Sequence, residues 1–437
     1  MSLAGGRENH GLKALGASLL LLSGVVAMPA RAADNSYPVS ITADPESGLK
    51  IARGFRARVF ASGLKGRLRH IAARDNGDIY VGVLNNADGS YALRDSNGDG
   101  AADVIRQFGD VQGTGVAVRN GYVYVSDNVG VYRYKLDGDA LLPGGGKEVV
   151  VSGFTAQRQH AQKNFAIDDD GNLYVNNGAP ANACMEKMRT KGSPGMRPCP
   201  LLEHYGGIWR FDADRLGQTR DDPGAHFATG LRNGVALAWN PVARGLYLVM
   251  HGRDQLHSFF PDLYDDATSA ELPAEEFHRV NKGDNLGWPY SYYDHRRHQR
   301  MVMPEYGGDG ETPAPVGKYK EPLMAFPGHW APNGLLFYAG DRFPAYFRGG
   351  AFIAFHGSWN RAPLPQKGYK VVFVPFRDGA PAGGYQVFAD YFMGADSIDS
   401  PGDAKHRPMG LAEGPAGEIY IADSAGGTIW RIDYTGG

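Results

Sequence analysis

Asn76-Gly-Asp-Ile-Tyr-Val-Gly82 sets a polar turn against a short run of alternating apolar and aromatic residues. The pattern returns as Asn120-Gly-Tyr-Val-Tyr-Val-Ser126, Asp170-Gly-Asn-Leu-Tyr-Val-Asn176, Arg244-Gly-Leu-Tyr-Leu-Val-Met250, Gly349-Gly-Ala-Phe-Ile-Ala-Phe355 and Ala416-Gly-Glu-Ile-Tyr-Ile-Ala422. Alternation with period two is what a β-strand shows when its two faces meet different surroundings, and a Gly-bearing turn before it permits a tight reversal. Six copies make a repeat. The glycines at 77, 121, 171, 245, 350 and 417 are spaced by 44, 50, 74, 105 and 67 residues. The shortest spacing is that of one four-stranded propeller blade, and the rest carry insertions.

Working outward from each copy, a second apolar run precedes several of them (Gly115-Val-Ala-Val118, Phe165-Ala-Ile167, Val235-Ala-Leu-Ala-Trp239, Gly410-Leu-Ala412). A third follows and carries an arginine, as in Val131-Tyr-Arg-Tyr134, Ile208-Trp-Arg-Phe211 and Ile429-Trp-Arg-Ile432. A meander of three or four strands per unit, repeated six times, predicts an all-β chain folded as a six-bladed β-propeller over 33–437, with an insertion around 256–340. Two β-sandwich domains are the rival, but no Pro- or Ser-rich linker divides the chain and the same motif occurs in both halves. In a propeller, loops distant in sequence converge at one end of the axis, so scattered polar residues can share a site.

The 437 residues carry 45 basic and 47 acidic side chains, a formal net charge of -2. That balance provides no cationic field for a phosphate backbone, so nucleic acid is not an expected partner, and anionic membrane surfaces are disfavoured for the same reason. Residues 1–32 read as an export signal, with Arg7 and Lys13 before an apolar run from Ala14 to Met28 and the small-residue pattern Ala30-Arg31-Ala32 before Ala33. An uncleaved anchor is the alternative; the apolar run is short for a bilayer. The expected product is periplasmic or secreted and not an integral membrane protein once processed. Its charge, 42 basic against 46 acidic residues, stays mildly negative. Export also places Cys184 and Cys199 in an oxidising compartment, where they are expected to form a disulfide; they lack the Cys-x-x-Cys spacing of a metal site, and no Cys-x-x-Cys-His haem motif is present.

Asp95-Ser-Asn97-Gly-Asp99-Gly-Ala-Ala-Asp103 places oxygen donors at alternate positions with glycines between them, a pattern suited to a structural Ca²⁺. An Asp/Asn/Gly hairpin turn would use the same residues, and the closing Glu of an EF-hand is missing. His160 stands between a turn and an apolar strand, where a blade loop would face the channel, and its ordinary pKa suits proton transfer near neutrality. Gly230-Leu-Arg232-Asn233-Gly234, His251-Gly252-Arg253-Asp254, His356-Gly-Ser358-Trp359-Asn360-Arg361 and His406-Arg407-Pro408 sit at comparable blade edges. Several guanidinium forks around one opening suit a planar ligand with several carboxylates; singly, each could be an ordinary ion pair.

With these residues assembled, the chain from about residue 50 onward resembles the glucose/sorbosone dehydrogenase family, soluble propeller enzymes that use pyrroloquinoline quinone (PQQ) and Ca²⁺, and most of all its bacterial sorbosone dehydrogenase branch. The resemblance rests on Gly230-Leu-Arg-Asn-Gly-Val-Ala-Leu-Ala-Trp-Asn-Pro241, Gly252-Arg-Asp254, Leu272-Pro-Ala-Glu-Glu-Phe277 with Gly287-Trp-Pro-Tyr290, Gly334-Leu-Leu-Phe-Tyr338, and His356-Gly-Ser-Trp-Asn-Arg361 with Gly368-Tyr-Lys-Val-Val372. It implies that His160 takes the substrate hydroxyl proton. It further implies that Arg232, Asn233, Lys163, Asn360, Arg361 and Arg407 bind the cofactor, and that the backbone carbonyls of Gly252 and Arg253 hold a catalytic Ca²⁺. The substrate would be a sugar or sugar aldehyde, and electrons would pass to an external acceptor, a cytochrome or a quinone. Two positions depart from the family pattern. Lys163 stands where the branch carries Arg, and Asn177-Gly-Ala-Pro180 offers no acid to orient the imidazole. Two other functions remain open on the residues alone: a calcium-dependent lactonase or esterase on a propeller, and a non-catalytic carbohydrate-binding propeller.

Overall fold

The computed structural model describes residues 39–436; the expected export signal lies outside the described residues. The chain is a six-bladed β-propeller. Each quoted repeat is the second strand of a blade: Ile79–Leu84, Tyr122–Ser126, Asn172–Asn177, Gly245–Met250, Ala351–Phe355 and Ile419–Asp423. The apolar runs before them become innermost strands and the arginine-bearing runs after them third strands, all paired antiparallel. The sixth blade takes its outermost strand from near the amino terminus. Phe55–Ala61 pairs with Ile429–Tyr434, Phe55 opposite Tyr434, which closes the ring by joining the two ends of the chain. Closure matters because it pairs the outer edge of Ile429–Tyr434 and leaves only short edges.

The core lies between blades. Successive sheets pack their faces in clusters such as Tyr124, Val131, Phe165, Val175 and Trp209 between blades two and three. Between blades five and six the filling is aromatic: Phe55 touches Phe343, Phe347 and Phe388 edge-on at 4.7–5.3 Å. Each such side chain contributes roughly 1.5–3 kcal/mol of burial, and the layers hold the blades in fixed relation so that the loops above them are rigidly placed.

The stretch 256–340 is more than an insertion. It contains the third strand of blade four (Glu275–Val280), its fourth (Met324–Phe326) and the first strand of blade five (Pro332–Phe337). The added material falls in two excursions. One, before Glu275, carries the short helices Leu256–Phe259 and Asp266–Glu271; the other, after Val280, carries a hairpin, Ser291–Asp294 paired with Gln299–Val302. Both pack on a small core of their own around Leu256, Tyr264, Tyr292 and Met301. Among the described residues no helix is long and apolar enough to cross a membrane.

Candidate functional site

In an up-and-down blade, loops leading into the innermost strand and loops joining the second to the third strand emerge at the same end. His160, Arg232 and Arg407 lie in loops of the first kind; Gly252, Asp254, Trp359 and Asn360 lie in loops of the second. All seven line one cavity of 360 Å³, together with Glu275 and Asn333.

His160 has a left-handed backbone, φ 49°, held by Gln157, whose amide donates to the carbonyls of Gln159, His160 and Gly178 at 2.8–2.9 Å. His160 packs so closely on Gly178 that a Cβ there would lie 2.7 Å from the His160 Cβ. Its Nδ1 donates to the Ala179 carbonyl at 2.6 Å. A carbonyl only accepts, so the proton sits on Nδ1 and the Nε2 lone pair is left for the cavity. Burial, reinforced by the Arg232 guanidinium, pushes the His160 pKa down to about 3. The imidazole is therefore neutral and able to accept a proton. The orienting group that Asn177–Pro180 lacked as an acid is supplied by this backbone carbonyl.

Arg232 is buried and fully engaged: Nε donates to the Asn182 carbonyl at 3.2 Å, one terminal nitrogen to the Gly252 carbonyl at 2.9 Å, the other to Asn182 Oδ1 at 3.0 Å and Asp254 Oδ2 at 2.6 Å. Asp254 also accepts from Asn360 Nδ2 at 2.7 Å. Burial pushes the Asp254 carboxyl up, but Arg232 and its other neighbours, Arg189 among them, together outweigh it and hold the group below the usual carboxylate range. Asp254 thus ties blade four to blade five, a role that Gly252-Arg-Asp254 did not disclose. Glu275 makes a second tie, accepting from the backbone N–H of Gly252 at 2.8 Å and of Ala331 at 3.0 Å.

The opposite wall is cationic. Arg407 donates to the carbonyls of His356 and Gly357 at 3.1 and 2.6 Å, and among the described residues no carboxylate accepts from its guanidinium. Behind it lies Arg69, buried, with Thr114 Oγ1 as acceptor at 3.0 Å. Burial, and then the Arg407 charge, push Arg69 down to about 9. Two neighbouring guanidinium groups, neither bonded to a carboxylate among the described residues, make this wall favourable to negative charge. Asn333 and Asn360, on the same cavity, each leave a buried amide oxygen without a partner. No motif marks Arg69; its signal is the charged alternation Arg67-Leu-Arg69-His70 in what becomes an innermost strand.

Other expected residues stand elsewhere. Lys163 is buried behind the wall, its ammonium on the Ala161 carbonyl at 2.8 Å and over the Phe154 ring, and burial pushes it down to about 7. Arg361 turns into the fold, donating to the Ala270 carbonyl at 2.5 Å and Glu271 at 2.9 Å. The Arg253 side chain forms a buried ion pair with Glu305. Asn233 supports the wall from behind through His251 Nδ1 at 3.3 Å. These side chains are consumed by packing, which short motifs do not reveal.

The expected calcium loop, Asp95 to Asp103, joins the third and fourth strands of blade one, at the end away from the cavity. Asp95 accepts from the N–H groups of Gly98, Asp99 and Gly100, Asn97 from Asp99, Asp99 from Ala101, and Asp103 from Ser96. The oxygens expected to bind an ion thus close the loop as a nest of Asx turns. Cys184 and Cys199 form the expected disulfide, with Cα atoms 6.0 Å apart.

A protein-family model described as TrAA12-like matches residues 49–435. Among curated proteins, a pyrroloquinoline quinone-dependent pyranose dehydrogenase of Coprinopsis cinerea is 26% identical over 275 residues, 55% of this chain and 36% of that protein. An uncharacterized protein of Borreliella burgdorferi is 27% identical over 210 residues, 47% of this chain and 48% of its own length. The chain therefore matches about half or less of the length of these relatives. Among solved structures, the calcium structure of a Trichoderma reesei carbohydrate-active enzyme of family AA12 superposes with a TM-score of 0.70 at 19% identity, covering 90% of this chain and 98% of that one. The holo PQQ domain of the Coprinopsis cinerea pyranose dehydrogenase gives 0.69 at 18% identity, covering 89% and 98%. At such identities these structures bear on the fold.

Proposed function

The chain belongs to the TrAA12-like family, and we propose that it is an exported PQQ-dependent dehydrogenase that oxidises a sugar or sugar aldehyde of the sorbosone or aldose type. One observation carries the reading: a neutral imidazole with its Nε2 open faces the same cavity as the carboxylate-free guanidinium of Arg407. The relatives named for PQQ-dependent pyranose oxidation support it, as do the family motifs along the chain and, for export, the disulfide.

The residues present fit the cofactor. Arg407 would hold its carboxylates, with the charge of the buried Arg69 behind it, the Asn360 amide would meet its polar edge, and the unpartnered oxygens of Asn333 and Asn360 mark where further polar contacts are wanted. When bound, PQQ supplies a two-electron acceptor for the hydrogen on the substrate carbon. The Nε2 of His160 takes the hydroxyl proton, and the Ala179 carbonyl stabilises the imidazolium that forms. Trp359, half exposed at the mouth, offers an apolar face to a sugar ring. For Ca²⁺ the supporting geometry is the Gly252 carbonyl beside the Asp254 carboxylate; burial pushes the neighbouring Glu275 up to about 8, so it adds no charge near neutrality. The Gly252 oxygen has a lone pair beyond its bond from Arg232, and the Arg253 carbonyl is the second expected donor.

A propeller hydrolase with one central ion would need converging side-chain ligands, and among the described residues no three His, Cys, Asp or Glu side chains gather to hold one. The test is reconstitution of the purified protein with PQQ and Ca²⁺, followed by dye-linked oxidation of aldoses and ketoaldoses. Activity that appears with the quinone and disappears on chelation is expected. Lactone hydrolysis indifferent to the quinone, or no activity of either kind, would refute the proposal.

A further inference from the structure

We infer that the disulfide-closed loop Cys184–Cys199 is the docking surface for an acidic electron-accepting protein; this rests on the dehydrogenase reading above. Oxidation of a CH–OH group to a carbonyl releases two protons and two electrons. The electrons then pass through the surface, one to each of two partner centres such as ferric haems, which become ferrous.

Charge selects the surface. The chain as a whole is slightly negative, yet this loop carries Lys187, Arg189, Lys191 and Arg197 against the single acid Glu186. Lys187 and Lys191 are exposed, as is Arg158 nearby in sequence to His160, and among the described residues no carboxylate pairs with these three. The loop also touches the catalytic wall. Gln159, next to His160, donates to Met188 Sδ at 3.6 Å and accepts from Arg189 at 3.2 Å. The loop is rigid as well: Tyr306 Oη donates to the carbonyls of Cys184 and Met196 at 3.1 and 3.2 Å, and the Gly195 N–H donates to the Glu305 carbonyl at 2.7 Å. A surface ordered in advance loses little entropy on docking.

Exposed apolar groups complete it. Met188 is 52% exposed and Trp359, at the cavity mouth, 51%. Methionine, tryptophan and arginine are the residues that protein interfaces favour over the rest of the surface. Beyond Pro401, which lines the cavity, Asp399 and Asp403 are exposed. The rim therefore has two signs, and a partner whose acidic face meets the loop would be turned into one orientation.

The experiment uses the reconstituted protein and three acceptors: a basic cytochrome c, the same cytochrome succinylated to acidity, and an uncharged benzoquinone. At low ionic strength the succinylated form should be reduced faster than the basic form by about tenfold or more, the advantage falling as salt is added. The double substitution Lys187→Glu/Lys191→Glu should remove that advantage and leave benzoquinone turnover unchanged. Equal or faster reduction of the basic form would overturn the inference, as would a double variant that retains the preference. A variant that instead loses turnover of acidic sugars with benzoquinone would assign the charges to substrate binding and also overturn it. No turnover with any acceptor would defeat the dehydrogenase reading itself.

Discussion

Replacing Gly178 by alanine adds one methyl group at the back of the proposed base. Its Cβ would lie 2.7 Å from the His160 Cβ, 3.0 Å from the His160 carbonyl oxygen and 2.9 Å from Asn233 Oδ1. Carbon atoms rest at about 3.5–4.0 Å, so one side must yield by roughly 1 Å. The Gln157 amide clamps the carbonyls of Gln159, His160 and Gly178 together, which leaves the imidazole and its bond to Ala179 to absorb the displacement. The backbone at 178 is not left-handed, so the folding cost is that of overpacking alone, about 1–3 kcal/mol. Misplacement of a catalytic group by about 1 Å costs on the order of 100-fold in rate. We expect Gly178→Ala to fold, to bind PQQ as the wild type does in a fluorescence titration, and to lose about two orders of magnitude in kcat for dye-linked sugar oxidation. A folded variant with wild-type kcat would refute the close packing of Gly178 on a catalytic His160.

His160→Ala should retain the quinone and lose roughly two to four orders of magnitude in turnover, the usual worth of a general base; unchanged turnover would remove the imidazole from the mechanism. Arg407→Ala should weaken PQQ about 10- to 100-fold in equilibrium titration, since a charge-assisted hydrogen bond is worth roughly 1.5–3 kcal/mol, and an unaltered affinity would place the carboxylates elsewhere. Because burial lowers the His160 pKa from 6.5 to about 3, kcat/KM should show no acid limb near pH 6.5. The same depression means that the folded chain binds fewer protons than the unfolded one. The stability it contributes is present above pH 6.5 and lost as pH falls toward 3, so His160→Asn should flatten that part of the Tm profile, and an unflattened profile would contradict the buried neutral imidazole.

Blade count was legible because the second strand of a blade is buried on both faces and opens on a tight turn, so its pattern survives insertions of any length. The insertion itself was not: Glu275–Val280 and Met324–Phe326 lack a Gly turn ahead of an aromatic alternation and so merged with their surroundings. In the site, His160, Arg232, Gly252, Asn360 and Arg407 were legible because loops at one end of a propeller must converge. Lys163 and Arg361 looked equivalent to them, but a long cationic side chain can turn inward onto backbone carbonyls, and only the packing of Phe154 and Glu271 shows which way each turns. Arg69 was hidden by the reverse effect. It sits in a strand whose alternation reads as an ordinary exposed face, and only ring closure makes that face the channel wall.

The most direct test is a crystal structure of the protein grown with PQQ. Density for the flat quinone in the 360 Å³ cavity, its carboxylates on Arg407 and its reactive edge toward the Nε2 of His160, is the expected result. An ordered quinone bound elsewhere on the chain, or a cavity left empty at saturating cofactor, would contradict it.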